Sequence, residues 1–295
     1  MRITLGMMAD TTLANIERNQ QRTSDLQNQL TSGSRITRPS DDPIGTARAL
    51  NFQQSIDQTT QYLANVDQAS SWLNTADAAL SGVSSVLVRA RELGVQAANG
   101  TLNAQDRTNM LEEVHQLQQQ VLDQSHAKYG AYYLFAGTRS DKPGYVLAQS
   151  SASAPAAYQG NQGQVQREVS PNVSMSLSVD AQAAFDPVFD ALNTLATGLA
   201  TNDVTAISSS LDKLDAGTNS VLNARAQVGA KVNRLDALQQ NLQSIKVNLT
   251  GLLSNTKDVD MAEAITNFSV AQTVYQASLK ASAQTLQPSL LDYLH

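Results

Sequence analysis

Read in steps of three and four, Val221, Ala224, Val228, Lys231, Leu235, Leu238, Leu242, Ile245, Leu249 and Leu252 form one apolar series that only Lys231 interrupts. This is an a/d heptad seam lasting more than four heptads. No proline lies in it, so the pattern predicts a helix of roughly 48 Å. A two-per-heptad stripe is too narrow for the centre of a globular core and asks for one or two partner helices. A second seam of the same period runs through Val66, Ala69, Leu73, Ala76, Leu80, Val83, Leu87 and Ala90. Packing the two side by side is the simplest way to bury both.

The remaining elements follow in chain order. Leu13, Ile16, Leu26 and Leu30 give a weaker helical stripe that Gly33 ends. Arg35 to Pro43 reads as a loop, because Pro39 and Pro43 disfavour helical geometry in the residues before them. Asp42 followed by Pro43 is a helix start, although the clear apolar pattern begins near Ala47. That helix is expected to end near Asn99 and Gly100, and Asn103 to restart the chain as a helix carrying Met110, Val114, Leu117, Val121 and Gln124.

Between about 132 and 183 the pattern changes to short strands. Tyr132–Phe135 and Gly144–Leu147 are strand-like, Ala148–Ala157 is a Ser/Ala-rich loop, and Val173–Val179 alternates strictly. Asp186-Pro187 is read as the next helix start, Asn202-Asp203 as the cap of a further helix, and Val221–Leu252 as the helix after that. Register breaks around Ser254–Asp260 and resumes through Met261, Ile265, Phe268, Gln272, Tyr275, Leu279 and Leu286.

The expected fold is therefore mainly α: long antiparallel helices nested as a coiled coil, with a small β insertion at the tip. Residues 1–45 with 256–295 form the terminal helical domain. Residues 46–131 with 184–255 form the inner bundle, whose seam is Val66, Leu73, Leu80, Val83 and Leu87 against Val228, Leu235, Leu238, Leu242, Ile245 and Leu249. Residues 132–183 form the tip.

Charge sharpens the picture. The net charge is −6, with six basic and five acidic residues in 1–50, the same in 221–295, and eight against sixteen between. Near-neutral, heptad-bearing ends suit surfaces meant for other protein, and no basic stripe exists to hold nucleic acid. The last ten residues crowd Leu286, Leu290, Leu291, Tyr293 and Leu294, which would be an aggregation liability if left exposed. The terminal apolar set, Leu13, Ile16, Leu26, Leu30, Phe268, Tyr275, Leu279, Leu286, Leu290, Leu291, Tyr293 and Leu294, is thus the candidate assembly interface.

Catalytic chemistry finds little support. The chain has no cysteine, which excludes thiol catalysis, disulfides and thiolate metal sites. No apolar run approaches the ~20 residues of a membrane span, and the first twenty residues lack the apolar core of a cleaved secretory signal. His115 and His126 are about 16 Å apart along a helix and cannot share a metal, so both read as surface residues. Asp41 and Asp42, bracketed by prolines, read as caps and turn formers before an acid/base pair. Neither a Gly-rich phosphate loop nor a G-x-S-x-G elbow occurs. No catalytic, cofactor or metal site is expected.

Three stretches together resemble the flagellin superfamily. They are Gln29–Ile36 (QLTSGSRI); Arg89–Thr101 (RARELGVQAANGT) with Asp106-Arg107; and Arg225–Ala230 (RAQVGA) with Asn233-Arg234-Leu235. Pro39-Ser40-Asp41-Asp42-Pro43, the opening Met1–Thr4 and the ending Ser289–Leu294 are similar to its hook–filament junction branch. Thr31, where serine is usual, and the additional His295 are minor departures. The resemblance implies a secreted, extracellular structural protein of the bacterial flagellum, exported through the flagellar type III apparatus. Its implied partners are the first hook-associated junction protein, flagellin, copies of itself in a ring, and an export chaperone on the C-terminal segment from about Val259 to Leu294. A bulk filament flagellin is the alternative within the family. A coiled-coil effector or adhesin is the alternative outside it.

Overall fold

The computed structural model describes residues 5–99, 102–147 and 156–286. Its elements in order are α1 (Leu5–Ser32), α2 (Pro43–Ala97), α3 (Ala104–Ser125), β1 (Lys128–Tyr129), β2 (Tyr132–Tyr133), β3 (Tyr145–Leu147), β4 (Ala156–Tyr158), β5 (Gln166–Ser170), β6 (Val173–Ser176), α4 (Ala181–Thr201), α5 (Val204–Lys257) and α6 (Met261–Leu286). The chain forms two compact units, Met1–Gln58 with Ile245–His295, and Thr59–Ser244.

The Thr59–Ser244 unit is a four-helix bundle carrying three β-hairpins. Cross-helix pairs fix the directions. Asp67 meets Gln239, Asp77 meets Arg225 and Arg91 meets Asp215, so α2 and α5 run antiparallel with residue numbers summing to nearly the same value. Arg89 with Glu113 sets α3 antiparallel to α2, and Lys213 with Asp190 sets α4 antiparallel to α5. The sequence-predicted seam of α2 is buried throughout: Val66, Leu73, Leu80, Val83 and Leu87 are at most 1% exposed. Trp72, Ala79, Val86 and Leu93, also seven apart, are buried beside it. A helix with several bundle neighbours hides a wider stripe than an a/d line alone.

On α5 the burial narrows along the chain. Ile207, Leu214, Val221, Ala224, Val228, Leu235 and Leu242 are buried, whereas Leu238 and Leu249 are half-buried and Ile245 is 40% exposed. The seam therefore does not continue evenly to Leu252. A straight helix drifts about 20° per heptad from a strict seven-residue repeat, so a single stripe rotates out of its contact over several heptads.

Three element boundaries differ from the pattern reading. The helix after Asp203 does not stop before Val221 but is one element, and Gly217 fits it where a Cβ would press on Val188 and the Pro187 carbonyl. Asp186-Pro187 is not a start: Asp180 caps α4 by accepting the Ala183 amide, and Pro187 lies within the helix. Ala156 and Ala157 belong to β4, paired antiparallel with β3, and not to the Ser/Ala-rich loop. The other caps follow the sequence. Asn103 and Asp106 form a reciprocal capping box on α3, and Asp203 accepts the Thr205 and Ala206 amides at the head of α5.

The hairpins lock onto the bundle through an aromatic cluster. Phe135, Tyr145, Phe185 and Phe189 pack with ring centroids 4.9–6.4 Å apart. Tyr145 is fully buried and donates its hydroxyl to Asp186 at 2.5 Å. Burial and that carboxylate push its phenol far above the ordinary value, so it remains a donor. His126 is half-buried, not a surface residue. Its Nε2 donates to the Tyr145 carbonyl at 2.7 Å and fastens the end of α3 to β3. In the alternating stretch 173–179, Met175 and Leu177 are buried, Val179 is half-buried, and Val173 is 38% exposed beside the Asn172 turn.

Candidate assembly interface

In the unit formed by Met1–Gln58 and Ile245–His295, α1 and α6 pack along their length. Gly33, at φ +67°, ends α1 in the left-handed conformation that glycine adopts without strain. The chain then turns back beside the end of α5. The Arg35 amide donates to the Lys257 carbonyl at 2.7 Å, and the Val259 amide to the Gly33 carbonyl at 3.0 Å. The buried Ser34 hydroxyl is shared between the Ile36 and Lys257 carbonyls. Arg35 donates to the Thr256 carbonyl at 2.9 Å and pairs with Asp42 at 3.4 Å. Asp260 then starts α6 by accepting the Ala262 and Glu263 amides.

The two aspartates of the loop are structural. Asp42 Oδ1 accepts the Gly45 amide at 2.8 Å and caps α2. Asp41 Oδ2 accepts the Thr37 hydroxyl and the Thr37 and Arg38 amides. The Thr37 hydroxyl first, and then the amides, hold the Asp41 carboxyl below its ordinary value of 3.8. A lowered folded value means the turn's contribution is complete above the unfolded value and is lost as pH falls through the folded one. Asp41→Asn is therefore expected to lower the melting temperature at neutral pH and to match the unsubstituted chain at the acid end. A carboxyl NMR titration is expected to place the Asp41 midpoint below that of a free peptide. A midpoint at or above the peptide value overturns this account.

The helix faces that meet mix large apolar residues with small ones. On α6 they are Ala264, Phe268, Ala271, Tyr275, Ser278 and Ser282. On α1 they include Thr12, Ile16, Asn19, Thr23, Leu26 and Leu30, all half-buried. Of the terminal apolar set, Ile16, Leu26, Leu30, Phe268 and Tyr275 thus lie on this contact. Leu13 and Leu279 do not, at 57% and 41% exposed. Leu286 ends α6, and Leu290, Leu291, Tyr293 and Leu294 lie outside the described residues.

Periodicity placed the α6 stripe on Met261, Ile265, Phe268, Gln272, Tyr275 and Leu279; Phe268 and Tyr275 lie on the contact, and Met261, Ile265, Gln272 and Leu279 lie beside it. The rest of the inside is taken by Ala264, Ala271, Ser278 and Ser282. Met261, Ile265 and Leu279 are left along one flank of the contact, and Val270 and Val274 along the other, all more than 40% exposed. At about 100° per residue the apolar arc of α6 spans roughly 220°, far more than one partner helix can cover. On α1, Met7, Met8 and Leu13 are likewise uncovered. Separately, Val88 and Val95 stand exposed seven residues apart on α2. Among the described residues no cluster of three or more histidines, aspartates or glutamates could hold a metal, and no helix is long and apolar enough to cross a membrane.

Residues 3–140 match the family described as the bacterial flagellin N-terminal helical region, and residues 211–294 match the bacterial flagellin C-terminal helical region. The chain is 26% identical to flagellar hook-associated protein 3 of Escherichia coli (strain K12), covering 95% of this chain and 96% of that one. It is 30% identical to a flagellin of Halalkalibacterium halodurans, covering 88% of this chain and 86% of that one. Among solved structures it superposes on Bacillus cereus FlgL with a TM-score of 0.61 at 20% identity, over 69% of this chain and 99% of that one.

Proposed function

We propose that this chain, which belongs to the bacterial flagellin family, is a structural protein of the flagellum acting as the hook–filament junction adapter. The Pro39-Ser40-Asp41-Asp42-Pro43 loop, which resembles that of the junction branch, together with the match to hook-associated protein 3, supports the junction over the bulk filament subunit. The observation that carries the mechanism is the pair of terminal helices with apolar flanks that neither covers for the other. A helix pair of this kind gains its remaining stability by packing into further helices, and a ring of identical subunits provides them.

In this reading α1 and α6 join the wall of the axial structure, and the exposed Val88 and Val95 strip of α2 takes part in contacts between neighbouring subunits. The ring binds the first hook-associated junction protein on one side and flagellin on the other. An export chaperone covers the C-terminal apolar segment beforehand, and the protein ends outside the cell as part of the flagellum. Deleting residues 140–183 is expected to cost less helicity by circular dichroism than deleting 66–90, because the long-helix seam lies outside the hairpins.

The test is a deletion in the source bacterium, with electron microscopy of the cell surface and immunoblotting of the medium. Bare hooks with unpolymerised flagellin in the medium are the expected result. Normal filaments would overturn the junction reading.

A further inference from the structure

Lys231 is the one residue that interrupts the apolar seam of α5, and assembly gives it no role. Its side chain is half-buried at the wall of a cavity of about 500 Å³ between the hairpins, the head of α4 and α5. Its ammonium donates to the Ser178 carbonyl at 2.9 Å. Among the described residues it makes no ion pair within 4.0 Å. Burial alone pulls its amine below the ordinary lysine value, and no neighbouring carboxylate raises it. The one carboxylate on the cavity wall, Asp180, already accepts the Ala183 amide as the cap of α4. The rest of the polar wall is neutral: the amides of Gln162, Gln164, Gln182 and Gln227, and the hydroxyls of Ser176 and Ser178.

A half-buried cation with one acceptor for three donors is a costly group to keep unless something compensates it. The cavity falls within the ordinary size range for small-molecule sites. Its hairpin wall is held in shape by Asn161, whose Oδ1 accepts the Thr138 and Gly163 amides while Tyr158 donates to the Asn161 carbonyl. We propose that this cavity binds a small hydroxylated carboxylate, such as a sugar acid, with Lys231 neutralising the carboxylate and the surrounding amides and serines bonding the hydroxyls. Bound there, the ligand bridges the hairpins and α5.

The full-length chain is titrated with glucuronate by isothermal calorimetry and thermal shift, with glucose and acetate as separate probes. Glucuronate is expected to bind at least about tenfold tighter than either control and to raise the melting temperature. Lys231→Met is expected to fold normally, because the seam favours an apolar residue there, and to weaken glucuronate binding by about tenfold or more. Lys231→Arg keeps the charge and is expected to retain binding. Four outcomes overturn the proposal: no glucuronate binding, equal binding of acetate, equal binding of glucose, or undiminished binding by Lys231→Met. If the Met variant fails to fold, equal binding of glucose and glucuronate by the unsubstituted chain overturns it on its own.

Discussion

Ile265→Asp together with Leu279→Asp is expected to remove the protein from assembled flagella while leaving the monomer folded. Both side chains are more than 40% exposed in the isolated chain and lie beside the α1 contact, not within it. Exposed substitutions of this kind change monomer stability by about 0.5 kcal/mol or less. Covered by neighbouring subunits, each of the two would contribute about 1.5–3 kcal/mol, and a charge placed there adds a desolvation cost. Losing both weakens each subunit contact by more than about a hundredfold. Ala271→Asp is the contrasting variant: it lies on the face toward α1 and is 8% exposed, so it is expected to separate the two helices and to lower the helical circular dichroism of the monomer. Immunoblots of sheared flagella alongside circular dichroism decide the matter. Normal incorporation of the double variant would mean that the apolar flank is not an assembly surface.

The distinction between those two variants also shows how much of the site was readable from the chain. Heptad spacing located α1, α2, α5 and α6 and the antiparallel pairing of the inner helices, because burying a narrow stripe needs a partner of equal period. The caps were equally legible: Gly33, Asp42, Asn103 and Asp203 act through their own backbone neighbourhood, and no distant residue can override them. Periodicity put Phe268 and Tyr275 on the inward face of α6 but could not settle the rest of it. When an apolar arc is wider than one neighbour covers, large side chains compete with small ones for the inside. Ala264, Ala271, Ser278 and Ser282 share the inside with Phe268 and Tyr275, and as small residues they add little to an apolar pattern. The same blindness applied to Pro187. A proline next to aspartate is a start signal in isolation, yet Asp180 had already capped the helix one and a half turns earlier. His126 was hidden for another reason: its partner, the Tyr145 carbonyl, is nineteen residues away and comes into range only when the hairpin folds back.

Arg107 is the buried group that sequence reasoning noticed only as part of a family resemblance, without assigning it work. It is 5% exposed, yet it makes no ion pair among the described residues. Its guanidinium donates to the Ala97 and Asn99 carbonyls, at the end of α2, and to the Asn202 side chain. Asn202 itself adopts a left-handed conformation as the C-cap of α4. One side chain near the head of α3 thus bonds the Ala97 carbonyl at the end of α2 and the Asn99 carbonyl just beyond it, and clamps the end of α4. The negative end of the α2 dipole compensates a charge that lacks a carboxylate.

Two effects oppose each other in Arg107→Met. Removing a buried charge relieves its desolvation, but it also takes the donor from the buried Ala97 carbonyl, at about 1–3 kcal/mol, and ends the hydrogen bonds that tie the Asn99 carbonyl and the exposed Asn202 side chain to α3. With one buried acceptor orphaned and the clamp on the end of α4 lost, against one charge that helix ends already stabilise, the lost hydrogen bonds dominate. The expected loss is about 2 kcal/mol, a fall in melting temperature of roughly 4–8 °C. Arg107→Lys is expected to recover only part of it, because a single ammonium cannot span acceptors arranged for a planar fork. Urea and thermal unfolding monitored by circular dichroism measure both variants. A methionine variant as stable as the unsubstituted chain would mean that desolvation of the guanidinium outweighs its three hydrogen bonds, and that Arg107 sits at this junction for something other than stability.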